Sequence, residues 1–147
     1  MKSTNSNSTC AYTLGLSNDK TFIIVRLEKP LTSKITKPFA DATATLALGR
    51  GIAKFLIDAR RVACGLNSLQ AYLFAQYFLH AQLFAQALEN KEAILAHKLS
   101  FVVSRTDDTY ASLEIFTRNR GIDTHIFVDY NDAVAWIKEC KETSKTL

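Results

Sequence analysis

The chain is poor in the residues that mark specialised folds. It has three cysteines, Cys10, Cys64 and Cys140, far apart and without a CxxC pair. An odd, scattered set argues against a disulfide framework and for a reducing compartment, so the cytoplasm is the expected location. Two prolines and five glycines in 147 residues rule out a low-complexity or collagen-like chain. Long uninterrupted apolar runs are missing. The stretch between Arg61 and Glu89 is broken by Gln70, Gln76, His80, Gln82 and Gln86, so no membrane span is expected. Excess charge of one sign is small. Lys and Arg number 18 against 14 Asp and Glu, a net +4, with Arg60-Arg61 and Arg118-Asn119-Arg120 the densest spots. Nucleic-acid binders gather such charge into one stripe, so no nucleic-acid partner is expected. Phosphate-binding glycine motifs are absent, and His80, His97 and His125 lack ligand spacing. Cys64 has no base that the sequence places beside it. No metal, cofactor or enzymatic activity is expected.

What is present is alternation. Residues 11–16 and 21–27 read as two strands around the turn at residues 17–20, an antiparallel hairpin. Residues 36–48 read as a helix with Pro38 in its first turn, ended by Gly49-Arg50-Gly51. Residues 54–58 form a short apolar strand. Asn67 opens a long helix to about Glu89, with Gln70 three residues on, as in a capping box. Residues 98–103 are the next strand. Asp107 or Asp108 caps a helix to about Asn119, where Arg118 and Arg120 meet the negative helix end and Gly121 stops it. Residues 123–128 are the last strand, and Asp129 caps a final helix that buries Ala133, Trp136 and Ile137. The order ββαβαβαβα predicts an α/β fold: a hairpin, then βαβ units, in a mixed, mostly parallel sheet of about five strands with four helices. One domain over residues 11–140 is expected, between disordered tails at 1–10 and 141–147.

The long helix has more apolar surface than one core-facing stripe requires. Phe74, Tyr77, Phe78, Ala81, Phe84, Ala85 and Leu88 follow helical spacing, and Leu69, Tyr72, Leu73, Leu83 and Ala87 continue around the side. Burial between the sheet and neighbouring helices is one reading. Aromatic enrichment and missing charge are also marks of interface cores, so Phe74, Tyr77, Phe78 and Phe84 are candidates for a homodimer interface or for lining an apolar pocket.

In open α/β sheets, ligands sit at the carboxyl ends of the parallel strands. Those ends carry Asp58, Arg60 and Arg61, then Ser104 and Arg105, with Asn67 and Ser68 at the start of the long helix. These seven are the candidate ligand or phosphoacceptor site, and helix capping explains several of them equally well. A response-regulator receiver is excluded. Arg26-Leu27-Glu28-Lys29 supplies no acidic pair for magnesium after the β-branched run, and no lysine follows the last strand.

Three stretches resemble the STAS domain of SpoIIAA-like anti-sigma-factor antagonists. Phe55-Leu56-Ile57-Asp58 is followed by Asn67-Ser68-Leu69, where the family has a strand ending in Asp and then an Asp-Ser/Thr pair opening a helix. Residues 99–103 lead to a helix ending Arg118-Asn119-Arg120-Gly121. Ile126-Phe127-Val128-Asp129 precedes Ala133-Val134-Ala135-Trp136-Ile137. The resemblance implies a regulatory protein-interaction module, with Ser68 at the position that a partner kinase phosphorylates in the antagonists. Asn67, Leu69 and Gln70 depart from the family's residues there. The alternative function is a small-molecule or lipid carrier with an apolar pocket beside Phe74 and Phe78.

Overall fold

The structure, a computed structural model, describes residues 11–62, 66–88, 97–105 and 108–139. The expected tails, the Asp107 cap, Cys64 and the side chain of Phe84 lie outside the described residues.

The elements run β1 (Tyr12–Leu16), β2 (Ile23–Leu27), α1 (Ser33–Arg50), β3 (Lys54–Ala59), α2 (Ser68–Leu88), β4 (Lys98–Val103), α3 (Asp108–Asn119), β5 (Asp123–Phe127) and α4 (Tyr130–Lys138). The five strands lie side by side in chain order. β1 and β2 are antiparallel; every later neighbour is parallel. This is the mixed, mostly parallel sheet that the alternation predicts. When successive parallel strands add in one direction, right-handed crossovers put all connecting helices on one face. α1, α2 and α3 accordingly share a face, and α4, which follows the last strand, packs on the other against β3, β4 and β5.

Period-two alternation sorts the strand side chains between these faces. Ile23, Val25, Leu27, Phe55, Ile57, Ala59, Leu99, Phe101 and Val103 join the three-helix core with Phe39, Phe74, Phe78 and Leu113. Phe22, Leu56 and Val102 meet Ala133 and Ile137 of α4. β3 and β4 are central, so both of their faces are covered and nearly every residue is buried.

One local expectation needs correction. α1 starts at Ser33, not Thr36, so Pro38 is its sixth residue rather than a first-turn one. The first turn is held without Pro38: the carbonyl of Thr32 accepts from the backbone of Ile35 at 3.2 Å and from the hydroxyl of Thr36 at 3.1 Å. The far end follows the glycine argument. Gly51 sits at φ 66°, a left-handed conformation, and Ile52 donates back to Ala47 at 3.0 Å. Trp136, expected on the buried side of α4, is half-buried, its ring 4.6 Å from that of His125 and under the ammonium of Lys98.

Candidate functional site

The carboxyl ends of the parallel strands are organised around one buried carboxylate. Arg26 and Asp58 face each other in the β2–β3 register, so parallel pairing alone makes them neighbours. Asp58 is 4% exposed at its side chain. Its Oδ1 accepts from the Nε of Arg60 at 2.9 Å and from the Arg60 backbone at 3.2 Å. Its Oδ2 accepts from the Nη2 of Arg60 at 2.8 Å and from the Nε of Arg26 at 3.4 Å. Arg60 lies over the ring of Tyr130 at 4.8 Å, which ties the cluster to the start of α4. Arg61 pairs with Glu28 at 2.8 Å. Burial pushes the Asp58 carboxyl up, but the bonds from Arg60 and Arg26 outweigh it and hold the group below its ordinary value.

Of the seven predicted site residues, the structure gathers five. Asp58, Arg60 and Arg61 line one open depression with Arg26 and Glu28. Arg60, Arg61, Ser104 and Arg105 line an adjoining one with Val62, Val103 and Tyr110. Asn67 and Ser68 line neither and stand at the first turn of α2. There the capping box forms in full. Gln70 donates its backbone N–H to Asn67 Oδ1 at 2.8 Å, and Asn67 donates its own to Gln70 Oε1 at 3.0 Å. Ser68, just after the cap, is exposed. Asn67→Ala is expected to lower stability by about 1 kcal/mol in urea unfolding, because the first turn of α2 loses a side-chain acceptor. An unchanged midpoint would show that the cap is idle.

Sequence reasoning missed Arg26 and Glu28. The legible signal was that Arg26 and Asp58 each stand one residue before the end of apolar strands that pair in parallel.

The long helix divides its candidate residues between two surroundings. Phe74 and Phe78 are fully buried. Phe78 packs its ring 5.3 Å from Phe55, 6.0 Å from Phe74 and 6.4 Å from Phe39. Neither is a surface residue of the chain, and both pack against the ring of Phe39. Tyr77 faces solvent, and so do Leu69, Tyr72 and Leu73. Among the described residues no helix is long and apolar enough to cross a membrane.

This geometry, a hairpin-led sheet in chain order with three helices on one face and one on the other, is that of the SpoIIAA-like α/β class. No family model matches the chain, and no curated protein matches it. Solved structures do match. The anti-sigma factor antagonist SpoIIAA in its unphosphorylated form superposes with a TM-score of 0.53 at 11% identity, over 88% of this chain and 100% of that one. An uncharacterised protein of the DUF3478 family with a SpoIIAA-like fold, from Shewanella loihica PV-4, gives 0.50 at 15% identity, over 86% and 92% of the two chains. The chain has the SpoIIAA-like fold that its sequence resembles.

Proposed function

We propose that the chain is a STAS-type regulatory module that docks a protein partner at the carboxyl ends of its parallel strands and catalyses no reaction. The observation that carries this reading is the fixed arrangement at Asp58. Its carboxylate is occupied by Arg60 and Arg26, which keeps it ionised and unsuited to proton donation. What faces outward is a set of arginines held in place by carboxylates, which suits recognition of an acidic or hydrogen-bond-accepting surface. The fold neighbour SpoIIAA is an anti-sigma factor antagonist solved in its unphosphorylated form. In this chain Ser68, the position that the sequence resemblance matches to the family's phosphoacceptor, is exposed and free of neighbouring acidic groups in the first turn of α2. A phosphate there meets the positive end of α2 and adds charge where the chain passes from β3 into α2. Ser68 is therefore the proposed switch.

The carrier alternative needs interior space beside Phe74 and Phe78. The rings of Phe39, Phe55, Phe74 and Phe78 pack against one another at that position, so docking is the reading that the geometry favours.

Affinity capture from the native cell, run in parallel with wild type, Arg61→Glu and Ser68→Asp, tests the proposal. A protein retained by wild type and weakened about tenfold or more by both substitutions is expected, the size of effect that charge reversal at a docking face produces. A partner held equally by all three chains would contradict docking at this face.

A further inference from the structure

The three-helix layer leaves one of its apolar stripes uncovered. Leu69 is 65% exposed, Leu73 40%, Tyr72 38% and Tyr77 45%. Gln76 and His80 complete the row, half-buried and exposed respectively. These six recur at intervals of three and one residues along α2, directly opposite the buried set Ala71, Phe74, Ala75 and Phe78. The stripe is therefore a second face, not an overflow of the core.

Three observations say what covers it. First, α2 carries no Asp, Glu, Lys or Arg over its 21 residues, in a chain with 32 such residues, 18 basic and 14 acidic. A partner with charges at this face would lose their hydration without gaining a counter-ion. A second copy of α2 is such an uncharged partner. Second, the row is symmetric along the helix. Read in reverse, its spacings are unchanged, so an antiparallel copy centred between Phe74 and Ala75 brings Leu69 level with His80, Tyr72 with Tyr77, and Leu73 with Gln76. Layers that pair one residue from each side of the seam are how antiparallel helices interdigitate. A two-fold arrangement of this kind makes one patch complementary to itself. It also opposes the two helix dipoles favourably. Third, Arg120, a cation among the described residues that borders the stripe, is already committed. Arg120 lies over the Tyr72 ring at 4.4 Å, donates to Gln76 Oε1 at 2.7 Å, and reaches the carbonyl of Phe116, at the end of α3, at 3.5 Å. It props the tyrosine and the glutamine in place and does not call for an anionic partner.

We infer that the outer face of α2 is a homodimer interface in which two copies pack α2 antiparallel about a two-fold axis level with Phe74 and Ala75. The inference goes beyond partner docking, because the stripe lies on the helix layer and shares no residue with the arginine cluster at the strand ends.

The stripe is narrow, so the dimer is expected to be weak, with a dissociation constant of about 1–100 µM. Sedimentation velocity of the full chain from about 1 to 500 µM, which brackets that range, is expected to show monomer converting to dimer. Leu73→Glu is expected to raise the dissociation constant at least about tenfold by placing an unpaired charge in the seam. Leu73 is a surface side chain, so the variant keeps its fold, checked by an unchanged thermal unfolding midpoint. Mixing the Leu73→Glu chain with a Gln76→Lys chain is expected to restore association as a heterodimer, because the antiparallel register sets the two substitutions side by side. A monomer at every concentration would overturn the inference, as would a dimer indifferent to Leu73→Glu. Failure of the mixed pair to associate more tightly than Leu73→Glu alone would overturn the antiparallel register. A monomer that sediments with phosphatidylcholine vesicles would assign the stripe to lipid and overturn it too. Leu73→Glu leaves the arginine face intact, so partner capture that survives the loss of dimer separates this result from any failure of the docking proposal.

Discussion

Phe78→Ala is expected to cost about 3–5 kcal/mol of stability, while Tyr77→Ala, one residue away, costs less than about 1 kcal/mol. Phe78 is fully buried and touches aromatic rings from α1, β3 and its own helix. Removing it leaves a void that those rings close poorly, because Phe39, Phe55 and Phe74 are themselves fully buried and held on three separate elements. Tyr77 is 45% exposed. Its loss removes little buried area from a monomer. Urea unfolding of both variants at a concentration well below the expected dimer range measures the difference. Equal losses would mean that α2 is rotated from the orientation described here.

Asp58→Ala is expected to lower stability by about 2 kcal/mol, with the loss concentrated above acid pH. The carboxylate is buried and takes four hydrogen bonds from two arginines. Without it, both guanidiniums lose their acceptor. Each is 45% exposed, so water recovers part of their solvation and the cost falls short of that for a fully buried pair. Because the folded-state pKa of Asp58 lies below its ordinary 3.8, its contribution is complete above that pH and is lost as pH falls through the folded value. The gap between wild type and variant should therefore close in acid. His97 acts in a different window. Burial lowers its pKa below the ordinary 6.5, so its neutral folded form loses stability as pH drops beneath that value, equally in wild type and variant. Denaturant titrations of both chains from neutral to acid pH measure this. A gap that widens in acid would contradict the assignment.

The fold was largely legible because each signal rested on local chemistry. The capping residues Asn67 and Gln70, the last-turn Arg118 and the stop at Gly121 all stand where short-range rules put them. The ion pair of Glu114 with Arg118 at 3.1 Å also follows from spacing alone. The start of α1 was less legible. Proline's preference for the first turn is a tendency, and the backbone before Pro38 closes a turn on the Thr32 carbonyl regardless. The candidate site was half legible. Strand ends can be read from sequence, but the pairing of Arg26 with Asp58 and of Arg61 with Glu28 depends on which strands become neighbours, a long-range choice. The faces of α2 were the least legible. When Phe, Leu and Tyr occupy every side of a helix, no contrast in polarity shows which side turns inward. Phe74 and Phe78 are as hydrophobic as an interface anchor, and only packing reveals that they belong to the core while Leu69, Tyr72 and Leu73 do not.

The orientation of α2 supports both the core and the proposed dimer, and aromatic nuclear Overhauser effects report on it directly. In the monomer, ring protons of Phe78 should show cross-peaks to Phe55, whose ring centroid is 5.3 Å away. Cross-peaks from Tyr77 to Phe55 in their place would contradict the account.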